Sequence, residues 1–109
     1  MSEEKIMPPV HPGEYLAEEL LVPMKISANS LALRIGVAPA RIYEIIAGKR
    51  SISLDTALRL GKFFGMPHTF WLNLQALYDY QRAEDAGLID RIEVEVRPLD
   101  QDNRGAVRA

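Results

Sequence analysis

The chain contains no cysteine. Disulfides and thiolate metal sites are therefore excluded, which fits a reducing, cytoplasmic compartment. It has no apolar run near the roughly 20 residues that span a bilayer, so no membrane segment is expected. Its start lacks the basic patch and long apolar stretch of a signal peptide. Histidine is scarce: His11 and His68 are the only two. Neither has a second His or Cys at i+3 or i+4, and no nucleophile, base and orienting group fall together. Asp55, Asp79, Glu84 and Asp85 read as solvated helix faces or caps rather than paired catalytic acids. The expectation is a protein that is not an enzyme and needs no metal or cofactor. A positive net charge is lacking too, since the formal value is −2.

The distribution of that charge says more than its total. Before Ser27, Lys5 and Lys25 face Glu3, Glu4, Glu14, Glu18 and Glu19, a net of −3. Over residues 27–53, Arg34, Arg41, Lys49 and Arg50 face Glu44 alone, a net of +3. The remainder is again acidic. A local positive field steers a polyanion whatever the sign of the whole chain.

The 109 residues suit one small domain with tails. Residues 1–12, with Pro8, Pro9 and Pro12, read as an extended N-terminal arm. Residues 13–86 hold five helical segments. The first carries Leu16 and Leu20 on one face and is expected to stop at Pro23. The second has Ser27 as its N-cap, the apolar pair Leu31 and Ile35, and Gly36 as its stop. The third begins with Pro39, suited to a first turn whose N–H groups are unpaired anyway, buries Ile42, Ile45 and Ile46, and closes at Gly48. The fourth is capped by Ser53, with Leu54, Ala57, Leu58 and Phe64 expected inward and Gly65 at its end. The fifth presents Phe70, Trp71, Leu74, Leu77 and Tyr78 as a broad apolar face. Residues 87–109 change pattern. The alternation of Ile92, Val94 and Val96 in "RIEVEVRP" predicts a short β-strand, followed by a polar, flexible tail. A lone strand would pair with a copy of itself or with a partner's sheet edge.

The second and third segments are separated by Gly36–Val37–Ala38. A helix-turn-helix needs a small residue where its helices touch (Ala32), a glycine at the turn (Gly36) and apolar wedges (Leu31, Ile35, Val37, Ile42, Ile45), and all fall in one register. With the isoleucines inward, Pro39, Ala40, Arg41, Tyr43 and Glu44 face outward, where base edges are read. Pro39 and Ala40 allow close approach or contact with a thymine methyl. Arg41 reaches guanine or phosphate, or else pairs with a surface carboxylate. Glu44 accepts from cytosine N4, or pairs with a neighbouring arginine. Tyr43 touches phosphate or packs. Lys49 and Arg50 are expected to clamp phosphates, as are Ser27, Asn29 and Ser30.

Four motifs are more specific: the His-Pro-Gly opening, "RIYEIIAGKR", "DTALRL" and "FWLNLQ". With them, residues 8–85 resemble the HigA-type antitoxins, a branch of the Xre/Cro-like helix-turn-helix proteins. The resemblance implies an all-α, five-helix, λ-repressor-like domain in a bacterial antitoxin. Such a protein binds a RelE-like mRNA-cleaving toxin and, as a homodimer on double-stranded operator DNA, represses its own operon. The alternative is an Xre-family repressor with no toxin partner. The glutamine with which many Xre-like proteins brace the DNA backbone is replaced here by Ala28 and Asn29. The brace falls to Asn29 or Ser30, or is absent. Phe70 and Trp71 read first as core. With Tyr78, Ile92, Val94 and Val96 they are also the candidate dimer or toxin interface.

Overall fold

The computed structural model describes residues 9–99. Most of the expected N-terminal arm and residues 100–109 of the expected tail lie outside that range. Among the described residues there are six helices and no strand.

Helix α1 runs through Pro12–Tyr15, Leu16–Leu21 and Val22–Met24, the middle segment in π geometry. His11 caps its start: Nδ1 accepts from the Gly13 N–H at 2.9 Å. Pro23 does not stop the helix, contrary to the sequence expectation. The helix passes through it and ends at Lys25, which is left-handed at φ 58°. In a regular α-helix the proline ring collides with the carbonyl four residues back. Here the Val22 N–H reaches five residues back, to Ala17, so the turn ahead of Pro23 is wider. The five-residue step also changes the buried face. Leu16 and Leu21 point inward at 0% and 5% exposure, while Leu20 is only half-buried.

Helices α2 (Ala28–Ile35) and α3 (Pro39–Ile46) form the helix-turn-helix. Ser27 Oγ accepts from the Ser30 N–H at 3.0 Å, and Gly36 closes α2 at φ 78°, a conformation that favours glycine. The Val37 N–H then donates to the Ala32 carbonyl at 2.9 Å, which seats buried Val37 in the angle of the turn. Ile42 and Ile45 are fully buried. Such burial is worth roughly 1.5–3 kcal/mol for each side chain and fixes which face of α3 turns outward.

Helix α4 (Leu54–Phe64) is capped by Ser53, whose Oγ accepts from the Thr56 N–H at 3.3 Å. Its inward face is Thr56, Ala57, Leu60 and Gly61. Leu54 and Leu58, expected inside, are 56% and 47% exposed. The rotation has two causes. Gly61 lies against backbone, where a Cβ would come within 2.7 Å of the Met66 carbonyl oxygen. Thr56 tolerates burial because its hydroxyl is bonded by Ser53 and Arg41. Helix α5 (His68–Asp85) buries Trp71 and Gln75, with Trp71 edge-on to Phe70 and Tyr15.

The expected C-terminal strand is instead helix α6 (Leu88–Glu95), entered through left-handed Gly87. Three alternating apolar residues are too few to outweigh local helix formation when no strand among the described residues neighbours them. Leu88, Ile92 and Val96 also lie four apart, the spacing of one helical face. Only after Glu95 does the backbone extend, at Val96 with φ −104° and ψ 122°.

Candidate nucleic-acid interface

The outward face of α3 is built from its buried one. With Ile42 and Ile45 in the core, Ala40, Tyr43, Glu44 and Ala47 are exposed and Pro39 and Arg41 half-buried. Tyr43 is 54% exposed. Pro39 and Ala40 leave the first turn of α3 bare, a surface that admits close approach of a partner.

The two polar residues expected to read bases, Arg41 and Glu44, are engaged within the protein. Arg41 Nη1 donates to Asp55 Oδ2 at 2.7 Å and to Thr56 Oγ1 at 3.3 Å. Glu44 Oε1 accepts from Arg50 Nε at 2.9 Å. The carboxylate pairing expected as an alternative for Arg41 and the arginine pairing expected as an alternative for Glu44 are thus both present. Both pairs are solvent-accessible, so neither contributes much to the stability of the fold. Lys49 and Arg50 are exposed in the loop after α3. The Lys49 N–H donates to the Glu44 carbonyl at 2.9 Å, which ties that loop to the helix end.

At the start of α2, Asn29 is exposed and Ser30 half-buried. Ser27 already uses its oxygen as a cap, leaving its hydroxyl hydrogen to donate.

Two residues outside the expected site hold this face in place. Gly13 of α1 lies against the end of α3, where a Cβ would overlap the Ile45 carbonyl. The His-Pro-Gly opening is therefore a packing device, with His11 capping, Pro12 opening the helix and Gly13 admitting α3. Gln75 is 6% exposed, and its Oε1 accepts from the Ile52 N–H at 2.8 Å, anchoring the basic loop to α5. The signal was the final glutamine of "FWLNLQ", a polar residue one turn after Trp71 on the buried stripe.

The expected partner surface divides. Trp71 is fully buried and belongs to the core, while Phe70 is half-buried against Tyr15 at 5.0 Å. Tyr78 packs edge-on to His11 at 4.8 Å and accepts from Arg82 Nη1 at 2.7 Å. It lies beside Lys49 and Arg50 around an open cavity of about 350 Å³. Burial pushes the His11 pKa down, opposed by the Asp79 charge and the Arg50 backbone. Ile92, Val94 and Val96 are 45%, 86% and 59% exposed.

Paired helices across a glycine turn, with a bare outward helix face and a basic exit, define a helix-turn-helix protein. The helix-turn-helix family model matches residues 16–71. Virulence-associated protein I of Dichelobacter nodosus is 51% identical over 78 residues, 72% of each chain. Among solved structures, an addiction module antidote protein of the HigA family from Coxiella burnetii superposes with a TM-score of 0.78 at 51% identity, over 84% of this chain and 99% of that one. The Pseudomonas aeruginosa antitoxin HigA, solved with the higBA promoter, gives 0.78 at 39% identity over 84% and 99%. The chain belongs to the Xre-like helix-turn-helix family, in its HigA-type antitoxin branch. No helix among the described residues is long and apolar enough to cross a membrane.

Proposed function

We propose that the protein is an antitoxin and autorepressor. It binds operator DNA as a homodimer through the outward face of α3 and neutralises a RelE-like mRNA-cleaving toxin encoded beside it. The observation that carries the reading is the bare first turn of α3, followed by exposed Lys49 and Arg50, within the one positively charged segment of the chain. Pro39 and Ala40 permit approach to the major groove, Arg41 and Glu44 supply polar contacts, and Tyr43 reaches the backbone. Lys49 and Arg50 grip phosphate with Ser27, Asn29 and Ser30. The promoter bound by the Pseudomonas antitoxin supports this use of the fold.

A single recognition helix contacts few base pairs, so paired half-sites one helical turn apart, about 34 Å, supply affinity. Helix α6 is the surface for the second copy, because it buries none of its own residues and presents Ile92, Val94 and Val96 at its end. On this reading residues 13–86 bind DNA, and helix α6 joins the two copies. The setting is the cytoplasm, where operator and toxin both reside.

The test has two arms. Fluorescence anisotropy on DNA upstream of its own gene is expected to show specific, salt-sensitive binding. Co-expression with the product of the adjacent small reading frame is expected to yield a complex and restored translation. DNA binding without a complex would reduce the protein to an Xre-family repressor.

A further inference from the structure

Asp55 ties three parts of the helix-turn-helix together. Its Oδ2 accepts from Arg41 Nη1 of α3 at 2.7 Å and from Arg59 Nε at 2.9 Å, one turn along α4. Arg59 Nη1 in turn donates to the Ile35 carbonyl at 2.8 Å, at the end of α2. A continuous chain of bonds thus runs from the turn of the motif, through Arg59 and Asp55, to the first turn of α3. Arg41 Nη1 donates both to Asp55 and to the buried Thr56 hydroxyl. Among the described residues nothing bonds Nε or Nη2, the side-on edge of the guanidinium. That edge has the two-donor geometry that matches the O6 and N7 acceptors of guanine.

We propose that Asp55 is a positioning residue for DNA recognition, holding Arg41 by one edge so that the Nε–Nη2 edge is presented to a base pair. The inference rests on the DNA-binding reading and names the residue that makes Arg41 selective. Arginine has a long, rotatable stem, and an untethered Arg41 would find the nearest phosphate on any sequence. Tethered, it meets DNA in one orientation at little further loss of conformational freedom. The carboxylate is itself held in its charged form by the two arginines, Arg41 foremost.

The sign of the effect separates this role from that of a bystander. A carboxylate beside DNA repels phosphate, so removing a bystander Asp55 would tighten binding. Removing a positioning Asp55 weakens it. The experiment titrates wild type, Asp55→Ala, Asp55→Glu, Arg41→Ala and the Arg41→Ala/Asp55→Ala double variant against the protein's own promoter fragment and against fragments changed one base pair at a time. Asp55→Ala is expected to lose affinity by roughly tenfold, within the range for one bidentate base contact. It should level discrimination at the same base pairs as Arg41→Ala and cost nothing more in the Arg41→Ala background. Asp55→Glu should recover most of the discrimination. Circular dichroism checks folding, and Asp55→Leu, which also lacks an acceptor, replaces the alanine variant if that one does not fold.

Unchanged or tighter binding by Asp55→Ala, or a loss that adds fully to that of Arg41→Ala, overturns the proposal. So does an Arg41→Ala chain that binds and discriminates like wild type, although the DNA-binding reading then stands. If wild type itself shows no preference for its promoter, it is the DNA-binding reading that fails.

Discussion

Gly13 and Ile45 meet backbone to backbone: a Cβ on Gly13 would overlap the Ile45 carbonyl oxygen at the end of the recognition helix. Backbone cannot swing aside as a flexible side chain can. Gly13→Ala is therefore expected to destabilise the fold by at least about 1–3 kcal/mol, the usual cost of overpacking. A thermal melt should show a fall of roughly 4 °C or more. A melt equal to wild type would mean that α1 and α3 are not in contact there.

His11 adds a pH dependence at the same junction. Its Nδ1 accepts the Gly13 N–H, and burial lowers its pKa below the ordinary 6.5. As pH falls the unfolded chain takes up this proton first. The stability from His11 is present above pH 6.5 and is lost as pH falls from there toward the lower folded value. His11→Asn keeps a capping oxygen and does not titrate. The wild-type melting temperature should fall more between pH 7 and 5 than that of the variant, and parallel curves would remove His11 as the cause.

Gln75 is predicted to stabilise the basic loop. Gln75→Ala leaves the buried Ile52 N–H unpaired, at a cost of about 1–3 kcal/mol. Hydrogen exchange should show the Ile52 amide losing protection beyond that expected from the change in global stability. Exchange at Ile52 that tracks global stability alone would argue against a local anchor.

The α6 surface is tested by charge. Ile92→Asp with Val94→Asp alters only exposed side chains, so the fold of one copy should hold within about 0.5 kcal/mol. Sedimentation should show dimer giving way to monomer. A variant that remains dimeric would move the interface elsewhere.

What could be read from the sequence was local. The Ser27 cap, the Gly36 turn and the buried Ile42 and Ile45 each follow from residues within a few positions of one another, and the structure has them as expected. The misreadings came from interactions between distant residues or from competing local geometries. The inward face of α4 depends on Gly61 meeting the Met66 backbone and on Arg41 satisfying Thr56. The π segment of α1 moves burial from Leu20 to Leu21. Ile92, Val94 and Val96 fit a period of two, yet Leu88, Ile92 and Val96 fit a helix equally well, and no strand among the described residues favours the first. The candidate site divides in the same way. Its outward residues were legible from the buried stripe of α3. The Asp55 tether on Arg41 and the Gln75 anchor of the loop cross 14 and 23 positions of sequence and leave no local pattern.

The most direct test of the central claim is a salt series. Binding of the protein to its own promoter is measured between low and physiological salt for wild type and for a Lys49→Ala/Arg50→Ala variant. Each phosphate that is no longer neutralised should make the slope of log affinity against log salt shallower by about 0.9. Wild type is expected to bind its promoter with a steep slope, and the double variant to bind more weakly on every sequence, with a slope shallower by roughly 1 to 2. Equal affinity and an equal slope for the two proteins would contradict the account and place the DNA contacts away from the exit of α3.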